Sequence, residues 1–249
     1  MMEKRKSAIV TGSTKGIGKT IARKFLERGY FVYINYAHDD ASAIAFEKEL
    51  IEAGFITDFK IIKADFSKTE QIDTFVSELN FDENELHSIV LNAATNGKTR
   101  HCFGELTYDE LKAVFDVNLF MPLLTVQRLT PYICDEGRII FISSAMGIYP
   151  HSTYIPYGLT KAAEAFLTKM LVKEFAQKKV TVNAVAPHCI ETAMFPGKRS
   201  PEHLDSVKSK IAVQRFGQPE EVAGLVMTLV ENGYINGEVI SITGGYDYR

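Results

Sequence analysis

Short apolar runs alternate with longer stretches in which apolar residues recur every three or four positions, from residue 7 to residue 242. Runs of the first kind read as strands and stretches of the second kind as helices. The strand candidates are Ser7-Ala-Ile-Val-Thr11, Phe31-Val-Tyr-Ile-Asn-Tyr36, residues 58–64, Ser88-Ile-Val-Leu91, Arg138-Ile-Ile-Phe-Ile142, residues 179–186 and Glu238-Val-Ile-Ser-Ile242. Between them, helical spacing carries Ile21, Ala22, Phe25 and Leu26, then residues 41–53, then Ile72, Phe75, Val76 and Leu79. A long pattern over residues 107–133 follows, then helices over 157–177 and 218–230. Residues 188–214 have weaker periodicity and several Pro, Gly and Lys, as expected of a covering segment. Strands alternating with helices, without linker or repeat, predict a single α/β domain over 1–249 built on a doubly wound, seven-stranded parallel sheet.

The places where strands end carry the candidate chemistry. Thr11 leads into Gly12-Ser13-Thr14-Lys15-Gly16-Ile17-Gly18, a Gly-x-x-x-Gly-x-Gly loop that opens a helix. Glycines there let the backbone turn tightly and approach a pyrophosphate, whose charge is stabilised by the N–H groups and dipole of the helix start. This is a variant of the dinucleotide fingerprint of Rossmann-type sheets, and an ordinary glycine-rich turn shares the spacing. About 20 residues on, where NAD-binding sheets place a carboxylate for the ribose hydroxyls, this chain has Tyr36 and Ala37. With no carboxylate to repel a 2′-phosphate, and with Lys15 and His38 nearby, NADP(H) is expected over NAD(H). Asp65, followed by Phe66, stands just past a strand and can accept from an adenine amino group, although Asp65 with Ser67 also has the form of a helix cap. Asn92-Ala93-Ala94 ends the fourth strand and Pro187 the sixth. In such sheets ligands bind outside the carboxyl ends of the strands, so these distant pieces converge on one crevice.

Ser144 follows the fifth strand, and Tyr157 and Lys161 stand four apart in the next helix. Residues at i and i+4 share a helix face. A phenol titrates near pH 10 and a neighbouring cation favours its ionised form, so Lys161 can tune Tyr157 for general acid–base work. Tyr108 and Lys112 repeat the spacing, which is therefore not diagnostic alone. Asn118 sits in the long helical pattern among apolar residues, where a buried amide needs partners, and Pro122 is expected to kink the helix just after it.

Composition narrows the class further. At 46% hydrophobic, 24% charged and a net charge of −3, the chain has no electrostatic footprint for nucleic acid or an anionic membrane. No run reaches the length of a membrane span, and only Ala8-Ile-Val10 follows the basic start, too short for a signal peptide. Cys102, Cys134 and Cys189 are few, odd in number and far apart, which suggests a reducing cytoplasm, and no metal site is expected.

Taken together, Thr11-Gly-x-x-x-Gly-Ile-Gly18, Asp65, Asn92-Ala93, Asn118, Ser144, Tyr157-x-x-x-Lys161, Pro187 and Thr192 resemble the short-chain dehydrogenase/reductase family over residues 7–245. The resemblance implies a tetrad of Asn118, Ser144, Tyr157 and Lys161 around a nicotinamide. Tyr157 exchanges the proton of a carbonyl/alcohol pair, Ser144 polarises the same oxygen, Lys161 holds the ribose, and Asn118 anchors a relay water. Ile190 and Thr192, with Pro187, join the cofactor residues. The resemblance also implies a homodimer or homotetramer and a small carbonyl or alcohol substrate, the nearest look, at Arg215-Phe-Gly-Gln-Pro-Glu-Glu-Val222, being to 3-oxoacyl-(acyl carrier protein) reductases. Reductases of other small alcohols share that look, and a nucleotide-binding regulator without catalysis is the reading from another class.

Three departures from the family pattern stand out. Ala94 occupies a usual glycine position, His188 follows Pro187 in place of glycine, and Cys134-Asp-Glu136 is acidic where reductases acting on acyl carrier protein tend to be basic, with Lys178 and Lys179 as compensation. His188 either lines the substrate pocket or is a surface imidazole. Substrate choice falls to residues near 95–103, 145–153 and 193–213.

Overall fold

Uninterrupted apolar runs make strands that are buried on both faces, as parallel sheets demand. The computed structural model, which describes residues 4–97, 103–149, 154–192, 195 and 200–247, realises this as one seven-stranded parallel sheet in the order β3-β2-β1-β4-β5-β6-β7. The strands are β1 (Arg5–Val10), β2 (Phe31–Tyr36), β3 (Phe59–Lys63), β4 (Asn84–Leu91), β5 (Ile133–Ile142), β6 (Thr181–Pro187) and β7 (Val239–Ile242). The helices are α1 (Gly16–Glu27), α2 (Asp40–Glu52), α3 (Thr69–Ser77), α4 (Tyr108–Phe115), α5 (Met121–Leu129), α6 (Ile155–Glu174), α7 (Pro201–Lys208) and α8 (Pro219–Glu231).

Period-two alternation divides the strand side chains between two cores. Ala8 and Val10 of β1, Val32 and Ile34 of β2, and Ile140 and Ile142 of β5 face Phe25, Phe46 and Val226 from α1, α2 and α8. Ile9, Tyr33, Ile139 and Phe141 face the other way, toward Phe75, Val126 and Leu129 from α3 and α5. Strand order reverses between β1 and β4, so the crevice expected at a switch point opens above these two central strands.

The expected helix over 107–133 is not continuous. Thr107 caps α4 with a reciprocal Glu110 box, a π-helical turn spans Asp116–Phe120, and α5 follows. Proline at 122 has no N–H to offer the Asn118 carbonyl one α-helical turn back, and the Met121 amide reaches back to Asp116 instead. Cys134-Asp-Glu136, just past the expected helix over 107–133, lies in β5, which begins at Ile133 opposite Leu86 and shifts register before Arg138 pairs with Ser88. Within the covering segment, Ser200 caps α7 by accepting from the His203 amide, and Pro201 opens that helix. Residues 98–102, 150–153, 193–194 and 196–199, which include parts of the expected substrate-choosing stretches and Cys102, lie outside the described residues. Among the described residues no helix is long and apolar enough to cross a membrane, and none of their acidic, histidine and cysteine side chains group as a metal site.

Candidate active site

The glycine loop leaves β1 with positive φ at Gly12 (59°) and Gly16 (56°), which favours glycine at both. A methyl on Gly18 would lie 2.5 Å from Asn92 Nδ2 and from the Gly12 carbonyl, so the last glycine is there for close packing. Asn92 uses that space. Its side-chain amide donates to the Thr11 and Gly12 carbonyls at 3.0 Å, while the Asn92 and Ala93 backbone amides donate to the Thr11 hydroxyl at 2.9 and 3.0 Å. Ser13 is buried as a brace, donating to Val10 O and accepting from Asn35 N, and Thr14 is buried beside it. Ile17 packs on the core. Lys15 at the N-cap of α1 offers no capping oxygen and the first turn carries no acidic side chain, so the helix start keeps its positive end for an anion. These features fit a dinucleotide pyrophosphate: a cradle that side chains would fill, aimed at a helix N-terminus.

Beyond the loop, a cavity of about 410 Å³ is lined by Ala37, His38, Lys63, Ala64, Asp65 and Lys68, among others. Asp65 accepts from the Ser67 amide at 3.0 Å and lies 3.5 Å from His38 Nε2, so it has the capping contact as well as a place on the cavity wall. Partial burial pushes its carboxyl up, but the Ser67 hydrogen bonds together with His38 and Lys68 bring it below the ordinary carboxylate range. The Phe66 ring turns away into the core against Phe75, leaving only its backbone for the crevice. Tyr36 donates to Asp40 at 2.9 Å, and Lys15 contacts Asp39, which also caps α2. The Ser42 amide first, and Lys15 second, pull the Asp39 carboxyl down to about 2.

The catalytic candidates gather around the end of β5. Ser144 caps a 3₁₀ turn, Ala145–Gly147, by accepting from the Met146 amide at 3.2 Å. Gly147 lies so close to α6 that a methyl there would fall 2.5 Å from the Lys161 backbone, and Ser143 donates to the Lys161 carbonyl at 2.8 Å. The turn holding Ser144 is thereby locked to the turn of α6 that carries Lys161. Tyr157, half-buried, has its ring centroid 5.8 Å from Lys161 Nζ. Lys161 is fully buried and donates to the Ile142 carbonyl at 2.9 Å. Its ammonium also contacts both oxygens of Glu164, at 3.0 and 2.9 Å. Burial pushes the Glu164 carboxyl up to about 7, against the downward pull of Lys161.

Asn118 sits in the π-turn and is fully buried. It accepts from the Thr95 amide and donates to the Thr95 carbonyl, both at 2.8 Å, and donates to Thr160 Oγ1 at 3.1 Å. It therefore ties the end of β4 to α6. After Pro187, His188 lacks a positive φ, whereas Cys189 takes one (51°), so the strained residue is one later than the proline–glycine pattern suggests. His188 lies edge-on to Tyr246 at 4.2 Å and lines a second cavity of about 190 Å³ with Ile190 and Arg215. The methyl of Thr192 lies 3.5 Å from where a Cβ on Gly16 would stand, which brings the loop after β6 against the glycine loop. Ala94 is half-buried at the end of β4.

Several site residues escaped the sequence reading. Asn35 accepts from the Gly12 amide and donates to the Ala64 carbonyl, joining the glycine loop to the end of β3. Its signal is a lone amide in an apolar run. Glu164 carries a weaker one, a carboxylate on the apolar side of the helix that follows Tyr157.

Comparison with known proteins identifies the family and the fold. The family described as Enoyl-(Acyl carrier protein) reductase matches residues 12–247. The 3-oxoacyl-[acyl-carrier-protein] reductase FabG of Staphylococcus aureus strain Mu50 is 33% identical, covering 98% of this chain and 99% of its own. A short-chain dehydrogenase/reductase from Serratia marcescens BCRC 10948 superposes with a TM-score of 0.89 at 31% identity, over 97% of this chain and 98% of that one. A short chain dehydrogenase from Burkholderia cenocepacia J2315, solved in complex with NADP, does so at 0.89 and 28%, with the same coverage. The chain therefore belongs to the short-chain dehydrogenase/reductase family, oxidoreductases that interconvert CH–OH and C=O with a nicotinamide cofactor.

Proposed function

We propose that the chain reduces a 3-oxoacyl thioester with NADPH, Tyr157 acting as the general acid. The observation that carries this reading is the buried Lys161 ammonium lying 5.8 Å from the Tyr157 ring at the end of β5, where Ser144 also stands. A bound NADPH supplies the hydride that reaches the carbonyl carbon. Ser144 donates to the carbonyl oxygen and orients it, and Tyr157 gives its phenolic proton to that oxygen as negative charge develops there. Lys161 holds the opposite charge close to the phenol, and Asn118 keeps α6 in register with the end of β4. In the reverse direction Tyr157 accepts the alcohol proton.

The preference for NADPH is supported by the absence of a carboxylate at residues 36 and 37 and by His38, Lys63 and Lys68 around the cavity beyond the loop. The thioester assignment is supported by the 33% identical reductase. Lys178 donates to the Thr130 and Ile133 carbonyls and Lys179 lies 3.9 Å from Glu136, so the two lysines balance the acidic stretch locally and leave no net basic surface there for an acyl carrier. That favours a small soluble thioester over the protein-bound one. The test follows NADPH and NADH oxidation separately with acetoacetyl-CoA, acetoacetyl-(acyl carrier protein) and a panel of other ketones. The expected result is fastest turnover with NADPH and acetoacetyl-CoA. Faster turnover on a sugar or steroid-like ketone would reassign the substrate, and tight NADPH binding without any turnover would support a non-catalytic regulator.

A homodimer or homotetramer belongs to the same reading. Leu159, Phe166 and Met170 on α6 are exposed at 51%, 67% and 62%, beside exposed Phe120 of the π-turn, an apolar face too large to leave in water. Light scattering at micromolar concentration is expected to return a multiple of 27.9 kDa.

A further inference from the structure

Acid–base chemistry at Tyr157 needs the lysine but not a carboxylate beneath it. Glu164 nevertheless sits one turn further along α6, and the two side chains are exposed at only 1% and 2%. An ammonium has three N–H donors. Here they are directed at the Ile142 carbonyl and the two Glu164 oxygens, all within the protein. No other charged group among the described residues acts on Glu164. The groups that meet the two residues are polar or aromatic: Ser143 donates to the Lys161 carbonyl, Thr168 donates to the Glu164 carbonyl, and the Tyr157 ring lies 5.8 Å from the ammonium. A buried ion pair is commonly no more stable than an apolar pair of the same volume, so packing alone does not account for a carboxylate at this depth.

We propose that Glu164 is a positioning residue for the reaction: it anchors the Lys161 ammonium at the end of β5, and its charge sets how firmly the Tyr157–Lys161 pair holds its protons. The proposal rests on the reading of Tyr157 as general acid. A negative charge nearby strengthens the hold of a group on its proton, and its removal weakens that hold. Reduction consumes the phenolic proton, so without the charge the rate falls off at lower pH. Because burial raises the Glu164 carboxyl to about 7, the carboxylate exerts this effect above neutrality.

The test compares wild type, Glu164→Gln, Glu164→Asp and Tyr157→Phe. Glutamine keeps the shape and an oxygen for Lys161 but loses the charge, and aspartate keeps the charge. The alkaline limb of kcat for ketone reduction is expected to move down by about one pH unit in Glu164→Gln and to stay in place in Glu164→Asp. NADPH binding to the substrate-free protein, read by fluorescence titration, is expected to change by less than about threefold in both. An unmoved limb in Glu164→Gln overturns the proposal. So does a downward movement of about one pH unit in Glu164→Asp relative to wild type, because the charge would then not be the cause, and this arm stands even if the glutamine variant does not fold. Full activity in Tyr157→Phe overturns the underlying reading of the phenol, whatever Glu164 does.

Discussion

Lys15–Asp39 and Lys161–Glu164 are chemically the same contact, a lysine 2.9 Å from a carboxylate oxygen, placed at opposite ends of the site. The first pair is exposed at 60% and 40% on the rim of the cofactor loop, and the second at 1% and 2% inside the catalytic half. Water and salt screen the outer pair, which forms and breaks at little cost. Lys15 is therefore available to leave Asp39 for a phosphate. The inner pair has no water to fall back on, so losing either partner strands a charge in the core. Depth, rather than partner chemistry, decides which lysine is free to exchange partners and which is held in place.

The comparison breaks most severely at the catalytic end. Tyr157→Phe is expected to lower turnover by about 10²- to 10⁴-fold while NADPH binding stays within about twofold, as steady-state rates and fluorescence titration would show. Retained turnover would remove the phenol from the mechanism.

Next in size is the contrast in stability. Glu164→Leu leaves Lys161 buried without a counter-charge and is expected to cost about 3–5 kcal/mol, or roughly 10 °C in melting temperature for a chain of this length. Lys15→Ala is expected to shift melting by no more than about 1 °C. The inner pair also has a pH signature. The folded Glu164 carboxyl titrates above its ordinary 4.5, so between that value and about 7 the folded chain holds a proton that the unfolded chain has released. Stability from this group is full below 4.5 and is lost as pH rises through 7. Melting curves from pH 5 to 7.5 should therefore fall more steeply for wild type than for Glu164→Gln, and parallel curves would contradict the buried carboxyl.

The smallest effects belong to the surface. Lys15→Ala is expected to weaken NADPH binding about fivefold, less as salt rises, with NADH unaffected. Tyr108→Phe provides the floor. Tyr108 is 75% exposed and Lys112 pairs with Asp116 at 2.6 Å, so its turnover should match wild type despite the shared spacing.

Legibility followed the range of the interactions. Strands β1, β2 and β6 were readable because a parallel strand covered on both faces must be apolar throughout, and the glycine loop because only a few residues tolerate positive φ. The first residues of β4 and β5 were missed because Asn84, Asp135, Glu136 and Gly137 interrupt the apolar pattern, while register with the neighbouring strand still pairs Leu86 with Ile133. The division of the 107–133 helix was half legible: Pro122 announces a fault in the backbone, but the π-turn depends on Asn118 finding Thr95 and Thr160. Spacing placed Tyr157 and Lys161 on one face but could not separate them from Tyr108 and Lys112, because the two pairs differ in burial and not in period.

The sequence by itself determined the sheet, the loop that suits a pyrophosphate, and the set of hydroxyl, phenol, ammonium and amide at its strand ends, since each follows from local periodicity or from the chemistry of a residue type. Only the tertiary structure decided that Asn35 joins the loop to β3, that Gly147 locks Ser144 onto α6, and that the Lys161 ammonium meets Glu164 out of reach of water. These are consequences of distance and dielectric between segments far apart in the chain, and no pattern along the chain encodes either.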